Sequence, residues 1–185
     1  MIDESGKTIE DLVKSARRYP EESFLFIRDG LNHAVEGIHG PDTDAHRDLA
    51  RYIAAENLDW SDLIAQYHAG TLSDSVVDSI ESAGGVDKLN RHVGGRELCW
   101  GLRDFALERW GMLARIVLDD WNITSTADFG RIVFTFIEHD LMQRQEGDSI
   151  RDFEDVYNFA EAFDKAYIPG SGLGGPRSDP DAKRE

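Results

Sequence analysis

Apolar residues recur every three to four positions along this chain. Phe129, Ile132, Val133, Phe136 and Ile137 form the densest such stripe, and Phe24, Ile27, Leu31, Ala34, Val35 and Ile38 repeat the pattern over a longer stretch. At 3.6 residues per turn these positions stack on one helical face, and a chain with two such faces must bury them together. The period-two alternation of a half-buried strand is nearly absent. The expected fold is therefore mainly α, a compact multi-helix bundle.

Capping and breaking residues divide the pattern into elements. Thr8 with Asp11 opens a capping pattern for a short helix carrying Ile9, Leu12, Val13 and Ala16, which ends before Pro20. Pro20 suits a first helical turn, so residues 20–39 read as a long core helix that stops near Gly40-Pro41. Thr43 caps a helix through Glu56, carrying Ala45, Leu49, Tyr52 and Ile53, and Asp59 or Ser61 caps another through His68, ended by Gly70. A weaker helix spans Ser73 to Ser82 with Val76, Val77 and Ile80, before a break at Gly84-Gly85.

After Gly94-Gly95, helical spacing returns with Leu98, Leu102, Phe105, Ala106 and Trp110. Gly111 divides this region into two helices, and Leu113, Ile116, Val117 and Trp121 continue the apolar face beyond it. Thr124-Ser125-Thr126 followed by Asp128 is an N-cap cluster for a buried central helix. Leu141 to Gln145 reads as a short extended segment and Glu146-Gly147-Asp148 as a turn, leading to Phe153, Val156, Tyr157, Phe159 and Phe163. That order adds to the bundle a degenerate winged-helix-like unit with a short β hairpin or arm near 141–150.

Four segments follow: N-terminal helices packing on the main body (1–40), inserted short helices (41–92), a core helical region (93–168) and a tail (169–185). The tail holds four glycines and three prolines with Leu173 as its only large apolar side chain, so it is expected to be disordered.

Charge narrows the partners. The chain carries 36 acidic against 20 basic residues, a formal balance of -16, while the segment after Ile168 is balanced at three against three. All the excess negative charge thus belongs to the folded body, which disfavours phosphate backbones and anionic membrane surfaces. It favours solubility or a basic protein partner. The helix in the recognition position of a winged-helix-like unit, 126–140, offers Arg131 as its only cation beside Asp128, Glu138 and Asp140. The apolar runs Gly111–Leu118 and Ile132–Ile137 fall well short of the roughly 20 residues of a membrane span. Cys99 is the only cysteine, and Met1 to Gly6 show neither a basic start nor an apolar leader, so the expected setting is cytoplasmic.

The residues 96–98, Gly101 to Glu108, Gly111, Ala114, Val117-Leu118, Trp121, Asp128-Phe129-Gly130, Ile132-Val133-Phe134 and Leu141-Met142, with Asp148-Ser149, Asp152-Phe153 and Tyr157, resemble a bacterial family of small acidic proteins of unknown activity. The likeness covers about residues 92–163, with a weaker echo at Ser23 to Ala34, and residues 41–91 read as an insertion relative to it. The resemblance implies a bacterial cytoplasmic origin and brings no activity, cofactor or catalytic residue.

Chemistry-bearing constellations are sparse. Glu36-x-x-His39, with His33 three residues before Glu36, has the spacing of one half of a di-iron helical site, yet no second copy exists and Glu138-His139-Asp140 has the wrong spacing for one face. These side chains then belong at a solvated helix edge or its C-terminus. Cys99, between Leu98 and Trp100, reads as a small buried hydrophobe. Asp119 and Asp120 are consecutive and point apart, ending a helix in water. No nucleophile elbow is present, and Gly170 to Gly175 lacks the lysine of a phosphate loop. Of the tryptophans, Trp110 and Trp121 continue core faces, leaving Trp60 and Trp100 for an interface. No catalytic, cofactor-binding or metal residue is assigned, and no cofactor is expected. The expected function is a non-enzymatic protein–protein interaction or assembly module, through a protein partner or self-association. The alternatives are a metal- or small-ligand-binding helical enzyme built around 20–39, and a DNA-linked regulator.

Overall fold

The computed structural model describes residues 9–145 and 147–164, with side chains from residue 11. The described residues form an all-α fold without a strand. The helices are α1 (Ile9–Ala16), α2 (Glu21–His39), α3 (Asp44–Glu56), α4 (Trp60–Ala69), α5 (Asp74–Ser82), α6 (Gly95–Trp110), α7 (Ala114–Asp120), α8 (Thr126–Glu138) and α9 (Phe159–Asp164). Short 3-10 turns occupy Val86–Lys88, Gly111–Leu113 and Ile150–Phe153.

The main core is organised by α2, α6 and α8. Pro20 holds the N-cap position of α2 and Glu21 and Glu22 fill its first turn, where acids favour the helix dipole. The helix stops at Gly40, whose φ of 83° is one that side chains rarely adopt. Small residues bring α2 and α6 close together: Gly101 faces Ala34, and Gly30 faces Leu102. Phe26 stacks on Phe105 with ring centroids 5.5 Å apart and is flanked by Trp110 and Trp121, two tryptophans that pack, partly buried, against the core. The α8 stripe lies inside, with Phe129, Ile132, Val133 and Phe136 buried.

A second, smaller core gathers Leu49, Leu63, Val76, Ile80, Ala83 and Leu89 from α3 to the residues after α5. Its helices start and stop on local signals. The Thr43 side chain accepts from the His46 amide, Asp59 and Asp62 form a reciprocal capping box, and Gly70 ends α4 in the left-handed conformation. The chain enters this unit through 40–43 and leaves through 90–94. Arg91 ties the two links by donating to the Gly40 carbonyl at 2.7 Å and the Pro41 carbonyl at 3.3 Å.

Three expectations need correction. The hairpin or arm near 141–150 is not formed among the described residues: the Asp148 carboxylate accepts from the Gln145 amide and Arg144 donates to the Asp148 carbonyl, so this stretch curls on itself. Among the described residues no strand stands there to form the wing of a winged-helix-like unit. Leu113 and Ile116 do not continue the core face, because Gly111 turns the chain at φ 55°, ψ -128° and α7 enters with Ala114 and Leu118 inward instead. The α2 stripe is also only partly sealed: Phe24, Ile27 and Ala34 are buried, Leu31 and Val35 half-buried, and Ile38 exposed. The Thr8 cap and the tail 169–185 lie outside the described residues.

Candidate functional site

Among the described residues the most heavily hydrogen-bonded side chain is Asp128, at the start of α8 and 1% exposed. One carboxylate oxygen accepts from the Thr124 and Ser125 amides at 3.0 Å each and from Ser125 Oγ at 2.9 Å. The other accepts from Tyr19 Oη at 2.7 Å and Arg131 Nη1 at 2.6 Å, with Arg18 Nη2 at 3.1 Å. Burial by itself would raise the pKa. The hydrogen bonds from Tyr19, Thr124 and Ser125 and the Arg18 charge outweigh it and hold the carboxyl below its ordinary value. Tyr19 is in turn pushed up to about 12, first by burial and then by its bond to Asp128. Through these bonds the cluster fastens α8 to the segment before α2.

A half-open cavity of about 230 Å³ lies where α2, α6 and α8 meet the 141–149 curl. Leu31 and Val35 of α2, Val133 and Ile137 of α8, Met142 and Phe153 supply apolar walls. Arg91, His92, Asp148 and Asp152 stand among its lining. His92 Nε2 lies 3.0 Å from Asp148 Oδ1, and the His92 carbonyl is 3.1 Å from His39 Nε2. Sequence reasoning gave His92 no role and placed Asp148 in a turn and among the residues that carry the family resemblance. The two are 56 positions apart, and no local motif links them.

The third feature is a ridge at the α6–α7 elbow. Met112, Leu113 and Ile116 are 70%, 60% and 63% exposed, the largest exposures among the big apolar side chains described. Asp119 and Asp120, exposed and three and four residues beyond Ile116, extend the same helical face. Beside it a cleft of about 400 Å³ between α7 and α9 is lined by Arg115, Asp119, Thr124 and Asn158, and Arg115 pairs with Asp164 at 2.8 Å.

The residues weighed for chemistry are dispersed. His33 lies 3.8 Å from Glu108 on α6, His39 turns to the His92 carbonyl, and Glu36 is exposed, so the three do not converge. Among the described residues no group of three or more His, Cys, Asp or Glu side chains is arranged to hold a metal ion. Cys99 is buried and its thiol is pushed up to about 12 by that burial, which removes its thiolate at neutral pH. Trp100 is 42% exposed, tilts against Tyr157 at 4.8 Å and carries Arg103 over its face. Arg131, the one cation of the helix weighed for DNA, is paired with Asp128. No helix among the described residues is long and apolar enough to cross a membrane. Comparison of the chain with protein-family models, with curated proteins and with solved structures gives no match in any of the three.

Proposed function

We propose that this protein is a non-enzymatic interaction module that docks a protein partner on the α6–α7 elbow. The observation carrying this reading is the exposure of Met112, Leu113 and Ile116 together on one short stretch. Clustered large apolar side chains in water mark contact sites, whereas scattered single ones do not. The partner's chemistry follows from the setting. Asp119 and Asp120 continue the ridge, and the chain as a whole carries a balance of -16, so a second copy would bring acid against acid. A partner surface with an apolar side chain flanked by Lys or Arg satisfies both halves of the ridge.

The test compares the full chain with a Leu113→Glu/Ile116→Glu variant, both checked by circular dichroism. A partner captured by the wild type is expected to be lost by the variant and to elute progressively as salt rises. Sedimentation of the wild type should show a monomer in the absence of that partner. Identical capture by both forms, or retention that ignores salt, counts against the proposal, and a wild-type dimer lost in the variant would put a second copy in the partner's place.

A further inference from the structure

The cavity between α2, α6 and α8 poses a question the ridge does not. Leu31 and Val35 belong to a core-type stripe, but the fold leaves them half-buried, facing the opening together with Ile137 and Met142. A soluble bundle gains by sealing such a stripe, and this one leaves a concave apolar space there instead. We propose that the cavity binds a small, neutral, largely apolar molecule bearing one hydrogen-bond donor.

Size sets the first part of that description. An engineered cavity of about 150 Å³ takes up benzene, so about 230 Å³ accommodates roughly nine non-hydrogen atoms. That is a single ring with a short substituent. Charge sets the second. The charged groups of the lining are engaged within the protein: His92 with Asp148 at 3.0 Å, Arg91 with the Gly40 and Pro41 carbonyls, and Asp152 Oδ2 with the Ser149 amide at 2.7 Å. An ionic ligand would shed water there: an anion would face the Asp148 and Asp152 carboxylates, and a cation would face Arg91, whose donors rest on neutral carbonyls. The donor follows from the acceptors, because a carboxylate has lone pairs beyond the bonds Asp148 and Asp152 accept. A hydroxyl at the mouth can donate to one of them while the ring lies among Val35, Val133 and Met142.

The probe is 4-ethylphenol, of the size that fits, with benzoate as an equally large anionic comparator. Backbone amide shifts of the labelled full chain are followed during titration. Saturable shifts confined to the neighbourhood of Val35, Val133 and Met142 are expected, with a Kd of about 1 mM for so small a ligand. Benzoate should bind about tenfold more weakly, and Val35→Trp, which fills the cavity, should weaken 4-ethylphenol by about tenfold or more. If Val35→Trp loses its native spectrum, Met142→Trp serves with the same expectation. Shifts that never saturate, that scatter over the surface, or that survive the filling variant overturn the site. Equal affinity for benzoate overturns its preference for neutral ligands. None of these outcomes depends on the elbow, whose own variant leaves the cavity lining untouched.

Discussion

Replacing the Asp128 carboxylate with an amide removes the charge that Arg18 and Arg131 face. It also sets a donor where Tyr19 or the Thr124 and Ser125 amides already donate. Both cationic partners are about half-exposed and can turn to water, so the loss comes mainly from the buried bonds. Asp128→Asn should therefore lower unfolding free energy by about 3 kcal/mol. The pH dependence has a definite sign. The folded carboxyl titrates below its ordinary value, so its contribution is complete above about pH 4 and is lost as pH falls through the folded value. Urea unfolding across that range should show wild type and Asp128→Asn converging in acid. A gap that stays constant, or widens, would contradict the assignment. Half of this cluster was legible in the sequence: Asp128 three residues after Ser125 marks a cap. The other half was not, because Tyr19 lies 109 positions away and only the tertiary fold brings it in.

Two glycines in facing or exposed helix positions make opposite demands. A Cβ on Gly101 would collide with Ala34 Cβ and come 3.1 Å from its Cα, and neither can swing aside because both are fixed to the α2 backbone. A Cβ on Gly37 would meet nothing within 4 Å. Gly101→Ala should force α2 and α6 apart and cost about 1–2 kcal/mol net of the better helix propensity, whereas Gly37→Ala should gain about 0.5–1 kcal/mol. Thermal unfolding of the two variants side by side decides it, and shifts of the same sign would sink the account of the α2–α6 crossing. Helix boundaries were readable here because caps are local. Thr43, Asp59, Gly70 and Gly111 act through neighbours within a turn. Which face of a helix points inward was less so. Leu113 and Ile116 carry the same apolar signal as Ala114 and Leu118, and only the backbone turn at Gly111 decides which pair is buried. The elbow was therefore hidden in a pattern that reads as core.

Two cores of unequal size, joined by links at 40–43 and 90–94, set how the whole molecule opens. The smaller rests on six buried side chains and, at under sixty residues, is in the range where burial only just offsets chain entropy. Its run of short helices was legible from their caps at Thr43, Asp59 and Gly70. The ties across its links, from Arg91 to Gly40 and Pro41 and from His39 to His92, were not, since they join residues about fifty positions apart. Those ties are polar and few, so the smaller core should open without the larger one. Leu63→Ala, at a fully buried position, should cost about 3 kcal/mol, a large part of what such a unit holds. Native-state hydrogen exchange should then show protection lost across α3, α4 and α5 while α2, α6 and α8 keep theirs. Leu102→Ala, equally buried but in the main core, should lower protection in α2, α6 and α8. Because Arg91 and His92 also line the cavity, opening of the smaller unit loosens one wall, and Leu63→Ala should weaken 4-ethylphenol binding without abolishing it. Equal loss of protection in both sets of helices from Leu63→Ala would mean that the links transmit the full folding cooperativity and that the molecule opens as one body.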